Sequence, residues 1–340
     1  MSRVSTLSDV AQRAGVHQAT ASRALNPASR HLVNAATAER VLAAARELGY
    51  VPNAIARGLR TSRSGTVGVI IPDLMNPLFP PIVRGIEDVL AREGYTALLA
   101  NTDNDEQRER SLFDALVTRR VDGFIVATAR RVHPLLDEAA RCGLKVVLVY
   151  RGTDRVDFSA VTADDWLGIT LAVEHLIELG HRRIGHLAGP QGLSTGSIRA
   201  RSFHETLRQH ALTAPPEQVV VCDAYTEAAG AAATRELLDR GLGLTAIVAA
   251  NDLLALGACD VLRERGLDCP GRISVTGFND MPFADKFNPA LTTVRVPHYD
   301  LGAEAGRLLL EQLTGPTHLT KRLSLSPTLV ARASTAPPQD

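Results

Sequence analysis

Residues 6–25 read TLSDVAQRAGVHQATASRAL, and their punctuation decides how the start of the chain folds. Thr6 with Asp9 three positions on has the form of a capping box, a hydroxyl at the N-cap answered by a carboxylate. Val10, Ala11 and Ala14 follow at helical spacing, and Gly15 stops the helix after about two turns. Val16 comes next as an apolar plug. A second short helix is predicted from about Gln18 to Leu25, with Ala21, Ala24 and Leu25 facing inward. Asn34 can cap a third, whose apolar stripe is Ala38, Val41, Leu42, Ala45 and Leu48, ending at Gly49. Three short helices, the first two joined by a tight glycine turn, make a helix-turn-helix.

The charge of the chain supports a polyanion partner for this segment. Net charge is zero over 340 residues, yet residues 1–63 hold nine arginines against Asp9, Glu39 and Glu47, a net of +6. The remainder balances it at −6. A concentrated basic head suits nucleic acid, because each neutralised phosphate releases counterions. Such a unit sets the start of its second helix against base edges in the major groove. Gln18 can pair with adenine, Arg23 with guanine, and Ala19 can touch only a thymine methyl, while Thr20 and Ser22 are available to phosphate.

From Thr66 the pattern changes. Short β-branched runs at 67–71, 96–100, 123–127, 145–149, 160–162, 183–187, 219–221, 246–249, 273–277 and 292–296 alternate with amphipathic stretches. The helical stretches fall near 80–93, 105–118, 165–179, 198–210, 227–240, 252–265 and 299–313. This alternation predicts an α/β class, with parallel sheets covered by helices. Ten strands exceed one comfortable sheet, so two similar lobes are expected. Polar residues recur where strands end, at Asp73, Asn101, Thr128, Asp223, Asn251 and Asn279. Ligands of open parallel sheets bind outside the carboxyl ends of the strands, so two facing lobes would bring these groups to one cleft.

Several classes are set aside. No apolar run approaches the 18 or so residues of a membrane span. The N-terminus lacks the apolar core of a signal peptide, and the four cysteines lack metal-ligand spacing, so a reduced cytoplasmic protein is expected. No phosphate loop, H-E-x-x-H or G-x-S-x-G is present, and Gly241-x-Gly243-x-x-Ala246 precedes a strand instead of following one. Neither catalysis nor a cofactor is expected.

The strings LSDVAQRAGV, TASRALN, ERVLAAARELGYVPNAIARGLRT and GVIIPDLMNPLF closely resemble the lactose-repressor/galactose-repressor (LacI/GalR) family of transcriptional regulators. VDGFIVAT, AVEHLIELGHRRIGHLAG, AIVAANDLLALGA, ISVTGFND, LTTVRVP and LVARAST continue the resemblance in order over nearly the whole chain. It implies a ligand-responsive regulator, expected to be a repressor of carbohydrate or sugar-acid genes. Such a protein binds a palindromic operator in double-stranded DNA as a homodimer, with first-lobe helices near 80–93 as the pairing surface. The organisation it implies is a helix-turn-helix head over 1–50, a hinge over 51–64 and a periplasmic-binding-protein-like body over 65–334. Lobe 1 is expected at 65–163 and 294–321, lobe 2 at 164–293 and 322–334, and a disordered tail at 335–340.

The same resemblance assigns candidate residues. Thr6, His17, Gln18, Ala19, Thr20, Ser22 and Arg23 would meet DNA, with His17 standing where the family usually has a serine. In the hinge, Arg57, Arg60 and Arg63 would hold the flanking phosphates while Leu59 enters the minor groove as an apolar wedge, and Asn53 is a further DNA-binding candidate. Asp73, Leu78, Phe79, Thr128, Tyr150, Arg151, Trp166, Thr195, Arg199, Tyr225, Asn251 and Asn279 would line a small-molecule effector site for a sugar or sugar acid. Tyr150 and Asn279 replace two common aspartates, which predicts a less acidic pocket and an effector with anionic character. A two-lobed solute-binding protein is the alternative, and the basic head speaks against it.

Overall fold

The structure, a computed structural model, describes residues 5–26, 29–50, 64–155, 157–213, 215–315 and 319–339. The chain divides into two compact units, Met1–Ser64 and Gly65–Asp340. The hinge candidates Asn53, Arg57, Leu59, Arg60 and Arg63 lie outside the described residues.

The head holds α1 (Leu7–Ala14), α2 (Gln18–Leu25) and α3 (Ala35–Glu47). Thr6 closes the capping box: its hydroxyl accepts from Asp9 N at 3.3 Å, and Asp9 Oδ2 accepts from Thr6 N at 2.8 Å. Gly15 ends α1 in the left-handed region, at φ 63°. Val10, Ala21, Ala24 and Val41 form a small core with little or no exposure. An exposed Arg13–Glu47 pair joins α1 to α3 and, screened by water, adds little.

The body begins with β1 (Thr66–Ile71), α4 (Phe79–Arg92), β2 (Thr96–Asn101), α5 (Glu106–Thr118), β3 (Gly123–Val126), α6 (Pro134–Arg141), β4 (Val146–Val149) and β5 (Ser159–Ala163). It continues through α7 (Asp165–Glu178), β6 (Ile184–Ala188), α8 (Ser194–Gln209), β7 (Val219–Val221), α9 (Glu227–Asp239), β8 (Ala246–Ala249), α10 (Asp252–Glu264) and β9 (Ser274–Asn279). It closes with β10 (Thr292–Arg295), α11 (His298–Thr314), β11 (Arg322–Leu325) and β12 (Thr328–Val330). Two six-stranded sheets result, ordered β11-β5-β4-β3-β1-β2 and β12-β10-β9-β8-β6-β7. Every neighbouring pair is parallel except β10 with β12. Their central strands are β-branched runs buried on both faces, as parallel sheets under helices require.

The chain crosses between lobes after β5, after β10 and after β11. The expected lobe limits need two corrections. β10 lies wholly in the second sheet, so a boundary at 294 would cut a strand, and β11 pairs with β5 in the first sheet instead of belonging to lobe 2. The tail also differs from expectation: residues 335–339 are described, and the first of them dock on lobe 2. Thr335 Oγ1 lies 2.9 Å from His175 Nε2, and Ala336 O lies 2.9 Å from His181 Nε2. Among the described residues no helix is long and apolar enough to cross a membrane.

Candidate functional site

In the head, α2 is divided cleanly. Ala21 and Ala24 are buried, while His17, Gln18, Ala19 and Arg23 are exposed and Thr20 and Ser22 are half-buried. His17 is the N-cap: its Nδ1 accepts from Ala19 N at 3.2 Å, doing with an imidazole what a hydroxyl does at most helix starts. The exposed residues are an amide, a methyl and a guanidinium, the donor and contact set for base edges, at the positive end of a helix.

In the body, a cavity of about 330 Å³ opens at the carboxyl ends of the strands. Pro72, Asp73, Asn76 and Phe79 come from the β1 end, Thr102 and Asn104 from the β2 end, and Thr128, Arg130 and Arg151 from the β3 and β4 ends. Lobe 2 adds Pro190, Gly192 and Leu193 after β6, and Asp223 to Thr226 after β7. The volume and the mixed lining are those of a small-molecule site. Among the described residues no group of three His, Cys, Asp or Glu is placed to hold a metal.

Two bonds join the lobes at the rim. Arg131 N donates to Gly192 O at 2.9 Å, and Gly152 N donates to Ser194 Oγ at 3.0 Å. Deeper, Tyr150 of lobe 1 donates its hydroxyl to Asn279 Oδ1 of lobe 2 at 3.1 Å. Tyr150 and Asn279 both have positive φ, 67° and 113°, unusual for residues with side chains. Strain of this kind gathers at clamps and switch regions, where the surroundings impose it.

The structure therefore sorts the expected effector residues. Asp73, Phe79, Thr128, Arg151 and Tyr225 line the cavity. Thr195 stands behind Tyr225 and accepts its hydroxyl at 3.2 Å, and burial pushes that phenol up to about 12. Only glycine fits at 189, since a Cβ would sit 2.2 Å from the Tyr225 hydroxyl. Tyr150, Asn279 and Arg199 form a layer below the cavity. Arg199 has no exposed surface, gives two bonds to Asp165 Oδ1 (2.8 and 2.6 Å) and one to Ala250 O (2.7 Å), and lies 3.7 Å over the Phe278 ring. Burial alone would lower its pKa, but the Asp165 charge reverses this and holds it above the ordinary value.

The remaining three expectations meet other duties. Asn251 caps α10 through Leu254 N, Leu78 is buried in the core, and Trp166 is 40% exposed on α7 outside the cavity lining. Asn101, one of the polar strand ends, accepts from Leu74 N instead of facing the cleft. The next residue in the Asn251 motif, Asp252, is also a structural lock: it accepts from Met281 N at 2.7 Å and binds Thr293.

A wall that sequence reasoning missed is built by Glu109 and Arg130. Glu109 is 2% exposed and accepts from Thr128, with Arg130 Nη1 at 3.2 Å and His133 Nε2 at 3.4 Å. Burial pushes this carboxyl up, but hydrogen bonds from His133 and Thr128 and the Arg130 charge leave it below the usual range. Glu106 also reaches Arg130, at 3.3 Å.

Comparison with known proteins agrees with both units. A family model described as bacterial regulatory proteins, lacI family, matches residues 6–53, and one described as a periplasmic binding protein-like domain matches residues 173–335. The HTH-type transcriptional repressor CytR of Escherichia coli (strain K12) is 34% identical over 311 residues, covering 91% of this chain and 90% of its own. The lac repressor dimer bound to operator and the anti-inducer ONPF is similar with a TM-score of 0.87 at 28% identity, covering 98% of this chain and 100% of that one. A complex of the transcriptional regulator CelR with cellobiose gives a TM-score of 0.76 at 34% identity, covering 97% and 99%.

Proposed function

The chain belongs to the lacI family of bacterial regulatory proteins, and from that membership we propose how its two units divide the work. It is a DNA-binding transcriptional regulator with an effector-binding body, not an enzyme. The head reads a palindromic operator, with Gln18, Ala19 and Arg23 on base edges and Thr6, His17, Thr20 and Ser22 at the phosphates. Arg57, Arg60 and Arg63 hold the flanking phosphates from the hinge while Leu59 wedges the minor groove, and Asn53 also meets the DNA. One short recognition helix reads only a few base pairs, so the protein acts as a homodimer, with α4 as the pairing surface.

The effector is of the sugar class. Its hydroxyls suit the carboxylates, amides and arginines of the cleft, and a relative, CelR, is solved with cellobiose. Tyr150, Asn279, Asp165 and Arg199 set how the lobes meet, so an effector that bridges them shifts the populations of the body and the spacing of the paired heads. The chain represses genes of carbohydrate or sugar-acid use and works in the cytoplasm, beside its DNA.

The observation that carries this reading is the division of α2, which buries Ala21 and Ala24 and presents Gln18, Ala19 and Arg23 together. Footprinting the full chain on inverted repeats tests it. Protection of one repeat by the wild type, with Arg23→Ala weaker at its guanine position by about 1–3 kcal/mol, is the expected outcome. Equal protection by the wild type and the Gln18→Ala/Arg23→Ala double variant overturns it.

A further inference from the structure

Arg151 is unlike every other charged group of the cleft. It follows β4, lines the cavity and is only 5% exposed, yet its Nε has no hydrogen-bond partner. Among the described residues no acceptor or carboxylate meets its guanidinium. Burial pushes its pKa down, the Tyr150 and Tyr225 hydroxyls act against this, and Arg199 and Arg130 add repulsion.

The remaining charges of the site are already answered. Arg199 is held by Asp165, and Glu109 by Arg130 and its hydrogen bonds. Glu106 and Asp223 sit at the exposed mouth, where water screens them, and Asp73 accepts from Met75 N at 2.8 Å. An unpaired charge out of water is unfavourable, and a fold keeps one where something else supplies the partner. A bidentate guanidinium matches a carboxylate or phosphate in geometry as well as in charge.

We propose that the effector carries an anionic oxygen group beside its hydroxyls, a carboxylate or a phosphate, and that Arg151 receives it. This deepens the sugar-class reading and rests on the cleft being the effector site. Arg151, and not the sealed Arg199, receives the anionic group.

Thermal melting of the full chain tests this without knowledge of the natural effector. Inorganic phosphate or acetate, against chloride at equal ionic strength, raises the melting temperature of the wild type, and the rise is lost in Arg151→Met. In the absence of added oxyanion, Arg151→Met melts above the wild type, because the unpaired charge is gone. A second arm compares ribose with ribose 5-phosphate and glucose with glucuronate by calorimetry. One acidic member binds about tenfold or more tighter than its neutral partner, and which pair shows it separates phosphate from carboxylate. No rise above chloride, a rise retained in Arg151→Met, or neutral sugars binding at least as tightly as both acids overturns the proposal. Operator protection by the effector-free wild type, measured separately, tests the regulator reading on its own.

Discussion

Arg199 Nη2 lies 2.6 Å from Asp165 Oδ1, with both side chains essentially out of water. Asp165 opens α7 just past the first lobe crossing, and Arg199 sits on α8 of lobe 2, so the pair ties the crossover to the floor of the cleft. Removing one member leaves the other as a buried, uncompensated charge. Asp165→Ala is expected to lower stability by about 3–5 kcal/mol, whereas Asp165→Leu with Arg199→Met recovers most of the loss. Urea unfolding of the body transition checks both. A loss below about 1 kcal/mol for Asp165→Ala contradicts the role given to the pair.

Tyr150 reports on how tightly the lobes meet. Tyr150→Phe removes the bond to Asn279 and keeps the ring edge-on to Phe79. A net loss of about 1 kcal/mol should raise the hydrogen-exchange rates of the Arg131 and Gly152 amides, which bond across the rim, about fivefold. Unchanged rates would mean that the rim does not sense the floor.

The helix start at His17 holds the recognition helix in shape. His17→Ala removes the cap on Ala19 N, whereas His17→Ser keeps one. Operator affinity, read by fluorescence anisotropy, is expected to fall in His17→Ala and to hold in His17→Ser. Thr6→Ala, by breaking the capping box, costs the head about 1 kcal/mol.

Body stability should rise between pH 4 and 6.5. Burial pushes His186 and His298 down to about 4, from 6.5, so in this window the unfolded chain binds a proton at each that the native one lacks. His175 and His181, also lowered by burial, act in the same direction. Asp252, raised by burial to about 7, has the opposite sign, since the native state keeps a proton that the unfolded chain has released. Asp165, also raised by burial, acts with Asp252, and the four lowered histidines outnumber these two carboxyls. Urea midpoints across this range check it, and His186→Leu should flatten the slope while lowering stability at neutral pH.

Much of the architecture is local in origin and therefore legible. The Thr6 box, the Gly15 stop and the β-branched runs place the helices and central strands to within a few residues. α6, β11 and β12 escape because they are short, and the RLSL of β11 alternates exposed with half-buried residues, which resembles surface loop. The interior of the cleft is less legible. Asp165 and Arg199 are 34 residues apart, and Glu109 and Thr128 are 19 apart, so only the fold reveals which charges are taken. Sequence places Arg199 and Arg151 in one class, and burial with pairing separates them.

The coupling between cleft and head is the central claim, and a footprint titrated with ligand tests it most directly. The full chain is expected to protect an inverted repeat of about 14–20 base pairs, with occupancy moved at least tenfold by one acidic sugar and by no neutral one. Leu59→Ala should lose most of that occupancy. A chain that protects no inverted repeat at moderate ionic strength, or one whose protection no sugar-class ligand alters, contradicts the account.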